Sequence, residues 1–336
     1  MFNFKRKSID FLAIGDITTD AFIRLEEASI NCNVDKTKCE LCMRFGDKIP
    51  YEFVEIVRAV GNSPNAAVSA ARLGLNSAIL TSVGDDQNGK ECIETLNKDN
   101  VNTKYITIDK KLPTNYHYVL WYGADRTILV KHAEFTYKLP KDMPVPKWIY
   151  LSSLADNSLP YHLEIADYLK SHPEVNLTFQ PGTFQIKLGT EVLKDIYKHT
   201  KVFVCNLQEY QTILNSSETD PVKLMTLMRE LGPQITVLTD GPNGAFTYDG
   251  KEAWSMPLYP DPKPPYSRTG AGDAYASTFT SCLLLGKSIP DALKYAPINS
   301  MSVVQQIGAQ KGLLTIPQIE KYLKEAPENY KPNKII

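Results

Sequence analysis

The chain has 336 residues, 43% of them hydrophobic, with 37 basic and 38 acidic residues giving a net charge of −1. That length fits one large α/β domain or two smaller ones, with ample apolar content for a buried core. The balanced charge argues against a nucleic-acid binder, and no apolar run approaches the roughly 20 residues that span a bilayer.

Met1 to Arg6 is basic, but Ser8, Asp10 and Asp16 interrupt the apolar stretch after it, so no signal peptide is expected and a cytoplasmic location is. Phe11 to Ile14 is a short apolar run closed by Gly15-Asp16, the pattern of a buried strand ending on an acid. Ligands bind at the carboxyl ends of strands in open parallel sheets, which makes Asp16, and Asp20 beyond it, candidate substrate ligands. A turn-forming role is the alternative.

From Ala21 to Ala59 the pattern changes to alternation, in Phe22–Leu25 and Phe53–Val57, as in antiparallel strands. The piece between them reads as loop and holds Cys32, Cys39 and Cys42. These could be three metal ligands, but a fourth ligand and a second CxxC are missing, so free thiols in a reducing compartment are expected. Cys92, Cys205 and Cys282 read as small core residues. The excursion looks like a small β lid, covering a ligand or pairing with a second subunit.

Gly61-Asn62-Ser63-Pro64-Asn65 opens a helix over Ala66–Leu73 that stops at Gly74. Asn62 and Asn65 present amides suited to sugar hydroxyls, with helix capping as the rival role. A strand over Ser77–Val83, the turn Gly84-Asp85-Asp86 and a helix over Gly89–Leu96 come next. Tyr116 to Val130 predicts two strands around Gly123-Ala124-Asp125. Aromatic Tyr116, His117, Tyr118, Trp121 and Tyr122 would serve pairing, or would stack on a sugar or nucleobase. Arg126 is a candidate substrate ligand.

The α/β rhythm returns with strands at Trp148–Leu151, Val175–Phe179, Val202–Cys205 and Ile235–Leu238. Helices are expected over Pro160–Lys170, Leu188–Tyr197 and Pro221–Leu231, with another starting at Asn206. Thr239 to Gly244 closes the last of these strands, and a hairpin turns over Asp249-Gly250. A Pro-rich loop then leads to Tyr266-Ser267-Arg268-Thr269-Gly270-Ala271-Gly272-Asp273. There, small residues uncover backbone amides at a helix start, and amides plus the helix dipole make an anion site. Asp273 adds a base beside it, which together suit phosphoryl transfer to an alcohol. Helices are expected over Asp273–Leu285, Pro290–Gln306 and Pro317–Lys324, and the tail from Pro327 is expected to fray.

Two of these stretches resemble the ribokinase-like (PfkB) family of carbohydrate and nucleoside kinases. They are Thr269-Gly-Ala-Gly-Asp273-Ala274 with its apolar helix, and Gly61-x-x-x-Asn65 with Leu73-Gly74, Val83-Gly-Asp-Asp86 and Gly89. Gly15-Asp16, Asn206-x-x-Glu209, Thr239-x-Gly241-x-x-Gly244 and Asn299 with Ser302-Val303 and Gly308-Ala309 support them. The resemblance spans roughly residues 10 to 315.

The resemblance implies a three-layer α/β/α sandwich with a mainly parallel sheet and a small antiparallel β lid. Residues 1–20, 60–115 and 132–326 would form the core, 21–59 and 116–131 the lid, and 327–336 a tail. It implies an ATP-dependent kinase phosphorylating a primary hydroxyl of a sugar, or alternatively of a nucleoside. Asp273 would be the general base and Gly270, Ala271 and Gly272 the anion hole. Asn206 and Glu209 would organise Mg2+, with Glu209 the metal-side residue. Thr239, Gly241 and Gly244 would line ATP, and Asn299 would sit by its adenine. Asp16, Asn62, Asn65 and Arg126 would hold the substrate, and a homodimer would form through the lid. Ser267-Arg268 departs from the family's frequent Asp-Thr, whose Asp serves a monovalent-cation site, so K+ activation is in question. A non-catalytic binding protein on the same fold is a second class. A nicotinamide-dependent oxidoreductase is disfavoured, because Gly15-Asp16-Ile17 stands where G-x-G-x-x-G would be.

Overall fold

The computed structural model describes residues 8–32, 39–123 and 125–336. The basic N-terminal segment, the stretch between Cys32 and Cys39, and Ala124 of the expected turn lie outside the described residues.

In chain order the first elements are β1 (Phe11–Ile14), β2 (Thr18–Leu25), β3 (Ser29–Cys32), β4 (Cys39–Cys42) and β5 (Tyr51–Val60). Then come α1 (Asn62–Arg72), β6 (Ser77–Gly84), α2 (Gln87–Lys98), β7 (Ile106–Asp109), β8 (Asn115–Tyr122) and β9 (Asp125–Leu129). The middle of the chain forms β10 (Trp148–Leu151), α3 (Leu159–Ser171), β11 (Asn176–Phe179), α4 (Thr183–Leu188) and α5 (Lys194–His199). It continues through β12 (Thr200–Asn206), α6 (Leu207–Leu214), α7 (Pro221–Glu230) and β13 (Ile235–Thr239). The last elements are β14 (Ala245–Tyr248), β15 (Ala253–Met256), α8 (Ala271–Leu284), α9 (Ile289–Val304), α10 (Ile316–Lys324) and β16 (Asn333–Lys334).

The main sheet runs β16-β15-β14-β13-β12-β11-β10-β1-β6-β7. It is parallel from β7 to β13 and antiparallel beyond. Its strands are apolar on both faces, because helices cover both. β1 shows how: Phe11 and Ala13 join one core cluster with α1, α8 and α9, while Leu12 and Ile14 join the other with α3 and α7. β1 pairs with β6 on one side and β10 on the other, so the chain leaves it in both directions. That reversal opens a crevice at the carboxyl ends of the strands.

A four-stranded sheet, β5-β2-β8-β9, forms the lid. Its outer pairs are antiparallel and its central β2–β8 pair is parallel. Period-two alternation sends Asp20 and Phe22 of β2 inward with His117, Val119 and Trp121 of β8, while Tyr116, Tyr118 and Tyr122 fall on the other face.

Some expectations are corrected. The cysteine-bearing piece is an exposed hairpin, β3–β4, in which Cys32 stands opposite Cys39 and is disulfide-bonded to it. Those two are therefore not free thiols; Cys42, Cys92, Cys205 and Cys282 are, the last three buried. No group of three or more His, Cys, Asp or Glu fit for a metal occurs among the described residues. The helix expected over Leu188–Tyr197 forms only from Lys194, as α5; the preceding α4 ends at Leu188, where Gly189 takes a φ of 89°. The tail does not fray. Asn333–Lys334 adds an edge strand to β15, and buried Tyr330 packs on Tyr259 while its hydroxyl donates to the Lys294 carbonyl at 2.6 Å. No described helix is long and apolar enough to cross a membrane.

Candidate active site

Gly270 adopts φ 80°, a left-handed conformation open to glycine, and stands as the residue before α8. A Cβ there would lie 2.2 Å from the Ala309 Cβ, so the turn packs too closely for any side chain. The first α-helical bond runs from the Ala274 N–H to the Gly270 carbonyl at 2.9 Å. The amides ahead of it have no partner within the helix. Ala271 and Gly272 line a cavity, and a Cβ built on Gly272 would meet no atom beyond its own turn of helix within 4 Å.

Asp273 lies on the first turn of α8 and is buried. The Nδ2 of Asn62 donates to its Oδ1 at 2.7 Å, the Nε2 of Gln180 to the same oxygen at 3.2 Å, and the Nδ2 of Asn65 to Oδ2 at 2.8 Å. The small residues of α1, among them Ala66, Ala67 and Ala70, pack it against α8 and bring these amides within reach. Both Asn65 and Gln180 are themselves oriented. The Asn65 Oδ1 accepts from the Nε2 of Gln310 at 3.1 Å, and the Gln180 Oε1 accepts from the Tyr150 hydroxyl. Burial pushes the Tyr150 phenol well above its ordinary range, with the Asp273 charge adding to it, so it stays a donor. Each amide must then turn its NH2 toward Asp273. Burial raises the Asp273 carboxyl above its ordinary value, while the three hydrogen bonds pull the other way.

Two cavities meet at this carboxylate. One, of about 270 Å³, is lined by Asp16, Asp20, Asn62, Asn65, His117, His132, Thr269 and Asp273 among others. The other, of about 690 Å³, is lined by Gln180, Asn206, Glu209, Thr239, Gly241, Gly244, Arg268, Ala271 and Gly272, and again by Asn62 and Asp273. Asn206 and Glu209 form a reciprocal cap on α6: the Glu209 N–H donates to Asn206 Oδ1 at 2.9 Å, and the Asn206 N–H to Glu209 Oε2 at 3.0 Å. Burial raises the Glu209 carboxyl, and the nearby Asp273 charge adds to that rise.

Most of the expected site residues therefore converge. Asn62 and Asn65, expected to hold substrate hydroxyls, line the smaller cavity but turn their amides on Asp273. Asp16 lines it too, with Oδ1 accepting from the Tyr137 hydroxyl at 2.9 Å. Three expected residues do not line either cavity: Gly270, which packs on Ala309 behind the turn, Asn299 and Arg126. Asn299 is fully buried within the fold, where its Nδ2 donates to Thr278 Oγ1 at 2.7 Å and its Oδ1 accepts from the Leu314 N–H at 2.9 Å. Its neighbours Pro297, Ser300, Met301 and Val304 line the larger cavity instead, one helical stripe away. Arg126 is exposed on β9, with the Asp20 charge acting on its guanidinium. Sequence reasoning missed Gln180 and His132, and named His117 only among the aromatic residues of its strand. The strand-end position of Gln180, after β11, was the available signal for it.

A family model described as pfkB family carbohydrate kinase matches residues 45–316. A 5-dehydro-2-deoxygluconokinase of Geobacillus kaustophilus is 22% identical, over 96% of this chain and 95% of its own length. A ribokinase of Bacillus subtilis is 25% identical, over 78% of this chain and 87% of its own. Among solved structures, the Arabidopsis thaliana ribokinase complexed with ribose and ATP superposes with a TM-score of 0.77 at 17% identity, covering 94% of this chain and 99% of that one. With a model that takes in most of the sequence and a fold shared along nearly all of it, the chain belongs to the pfkB family of carbohydrate kinases.

Proposed function

We propose that the protein transfers the γ-phosphoryl group of ATP to a hydroxyl of a sugar, with Asp273 as general base. One observation carries this reading: the two cavities meet at Asp273, beside the free amides at the start of α8. The larger cavity would take ATP and the smaller one the sugar, as befits relatives solved or named with these ligands. A carboxylate has about four acceptor positions, and three are filled here, leaving one on Oδ2 for the hydroxyl proton. The amides of Ala271 and Gly272 would receive the charge on the transferred group without reorganisation. The catalytic step thus asks little covalent chemistry of the protein; it asks for position and charge.

The donor set also suits Mg2+. A magnesium ion keeps most of its waters and takes one or two carboxylates plus phosphates, and Glu209 and Asp273 stand in the larger cavity. Bound there it would neutralise phosphate charge, while Glu209 would hold its water through the oxygen not used on the Asn206 amide. Thr239, Gly241 and Gly244 would border the phosphates.

A sugar fits better than a nucleoside. Of the strand's aromatic side chains, Tyr116, Tyr118 and Tyr122 point away from the smaller cavity, and Trp121, on the inner face, packs on Phe53 and Tyr266 without lining it. The outer lid face those tyrosines share also carries exposed Val54, Ile56 and Leu129, which supports pairing with a second copy through the lid. Sedimentation would show a dimer that Ile56→Lys dissolves.

The test is phosphorylation of a panel of ribose, fructose, ketodeoxygluconates, adenosine and cytidine with Mg-ATP, monitored by ADP release and by phosphorus NMR of the product. A sugar phosphate formed in step with ADP supports the reading. ATP binding without turnover of any acceptor would favour a non-catalytic binding protein.

A further inference from the structure

Four buried polar atoms without hydrogen-bond partners gather around one cavity. They are Asp16 Oδ2, Asp20 Oδ1, His117 Nε2 and His132 Nδ1. All four residues line the smaller cavity. Leaving buried polar atoms unsatisfied is costly, so such a group marks a place that a polar ligand completes.

The fold builds this group from separate pieces. Asp20 of β2 stands directly opposite His117 of β8 in the lid sheet, and alternation turns both inward. The His117 Nδ1 lies 3.4 Å from Asp20 Oδ1. His132 comes just after β9, with its Nδ1 3.4 Å from Asp16 Oδ2 and its ring edge-on to that of His117 at 5.1 Å. Two Asp–His pairs therefore sit side by side at ion-pair distance, neither closed by a hydrogen bond, each offering a carboxylate oxygen next to an imidazole nitrogen. A hydroxyl both donates and accepts, so it fits such a pair, whereas an anionic oxygen only accepts.

Charge narrows the choice further. The cavity is lined by three carboxylates, Asp16, Asp20 and Asp273, and among the described lining residues there is no Lys or Arg. Protonating both histidines would still leave the lining at −1. Counting exposed Arg126, whose guanidinium feels Asp20, brings it only to neutrality. With the three carboxylates ionised, no protonation state of the histidines makes the site positive, so a carboxylate or phosphate on the acceptor would meet like charge without a counter-ion.

We propose that the acceptor is an uncharged polyhydroxy sugar, bearing neither carboxylate nor phosphate, and that the Asp20–His117 pair with His132 selects it by binding hydroxyls remote from the reacting one. This rests on the kinase reading and separates within it the uncharged sugars from the acid and phosphorylated acceptors that some relatives' names indicate.

The experiment compares kcat/KM with Mg-ATP for ribose and fructose against 2-keto-3-deoxygluconate, 5-dehydro-2-deoxygluconate and fructose 6-phosphate. The best uncharged sugar is expected to exceed the best anionic acceptor by at least about 100-fold, the scale of unrelieved like-charge contact. Asp20→Asn is expected to lower kcat/KM for the preferred sugar by about 10–100-fold, mainly through KM, as befits one hydrogen bond to a charged group. The same change should narrow selectivity against anionic acceptors. His117→Gln, which keeps an N–H near the Nε2 position, is expected to retain more activity than His117→Ala. Preference for an anionic acceptor would overturn this inference and leave the kinase reading standing. An Asp20→Asn loss equal for every acceptor would overturn the selective role of the pair. Failure to phosphorylate any acceptor would overturn the kinase reading itself, and this inference with it.

Discussion

Replacing Gly270 with alanine tests the anion-binding turn without touching a charged or hydrogen-bonding side chain. The structure sets two costs. Alanine at φ 80° carries the left-handed penalty of about 1–2 kcal/mol. Its Cβ would also stand 2.2 Å from the Ala309 Cβ, against about 3.5–4.0 Å for a relaxed carbon contact, so one side must move by about 1.3–1.8 Å. Overpacking of this kind costs about 1–3 kcal/mol. Together they lower Tm by roughly 3–7 °C in a chain of this size. Because the moving segment carries the Ala271 and Gly272 amides and Asp273, a shift of about 1 Å lowers kcat by about 100-fold or more. Ala309→Gly in the same chain removes the closest contact but leaves the new Cβ 2.6 Å from the Cα of residue 309, and leaves the backbone strain. The double variant should therefore regain only part of kcat, with Tm still below wild type. Scanning calorimetry and steady-state kinetics on the two single variants and the double variant give the comparison. Wild-type kcat in Gly270→Ala would refute the requirement for a glycine here and the tight packing behind it.

Other outcomes are expected from the same geometry. Asp273 accepts a proton only when ionised, and burial raises its carboxyl; kcat/KM should therefore fall, as pH drops, at a value above the ordinary carboxylate range. Asn65→Ala removes a hydrogen bond that favours the ionised form, so its acid limb should lie at higher pH than in wild type. Tyr150→Phe frees the Gln180 amide to turn over, and kcat should fall about 5–10-fold, the scale of one neutral hydrogen bond, with sugar KM little changed. An unaltered kcat would show that Gln180 needs no such fixing. Ser267 offers a hydroxyl bonded to Thr269 at 3.0 Å, not a carboxylate, so turnover should be insensitive to KCl; a steep KCl dependence would contradict this. Ellman's reagent on the unreduced native protein should find one fast thiol, Cys42, with Cys92, Cys205 and Cys282 slow and Cys32 and Cys39 silent.

What could be read from the sequence was local. The turn at Thr269–Asp273 declares itself because the glycines, the helix and the acid are adjacent, and each strand of the parallel sheet is a short apolar run of its own. The environment of Asp273 was harder to read. Asn62 and Asn65 lie over 200 residues away in sequence and meet it only because small residues let α1 approach α8. Their amides read as substrate ligands, and the packing turns them on the Asp273 carboxylate. The lid strand Tyr116–Tyr122 was recognised as a strand, but its tyrosines drew attention to the wrong face. Alternation turns His117, the residue between two of those tyrosines, toward the smaller cavity. Asn299 failed for a similar reason: the right helix was chosen, on a stripe one position away from the cavity. Short-range pattern does not report which face of an element a distant partner covers.

The central claim is that Asp273 removes the acceptor proton. The most direct measurement is kcat/KM of Asp273→Asn beside wild type, with Mg-ATP and the preferred sugar. A loss on the order of 10²–10⁴-fold, with Mg-ATP still bound at near wild-type affinity, is the expected result. Near-normal turnover in Asp273→Asn would contradict it.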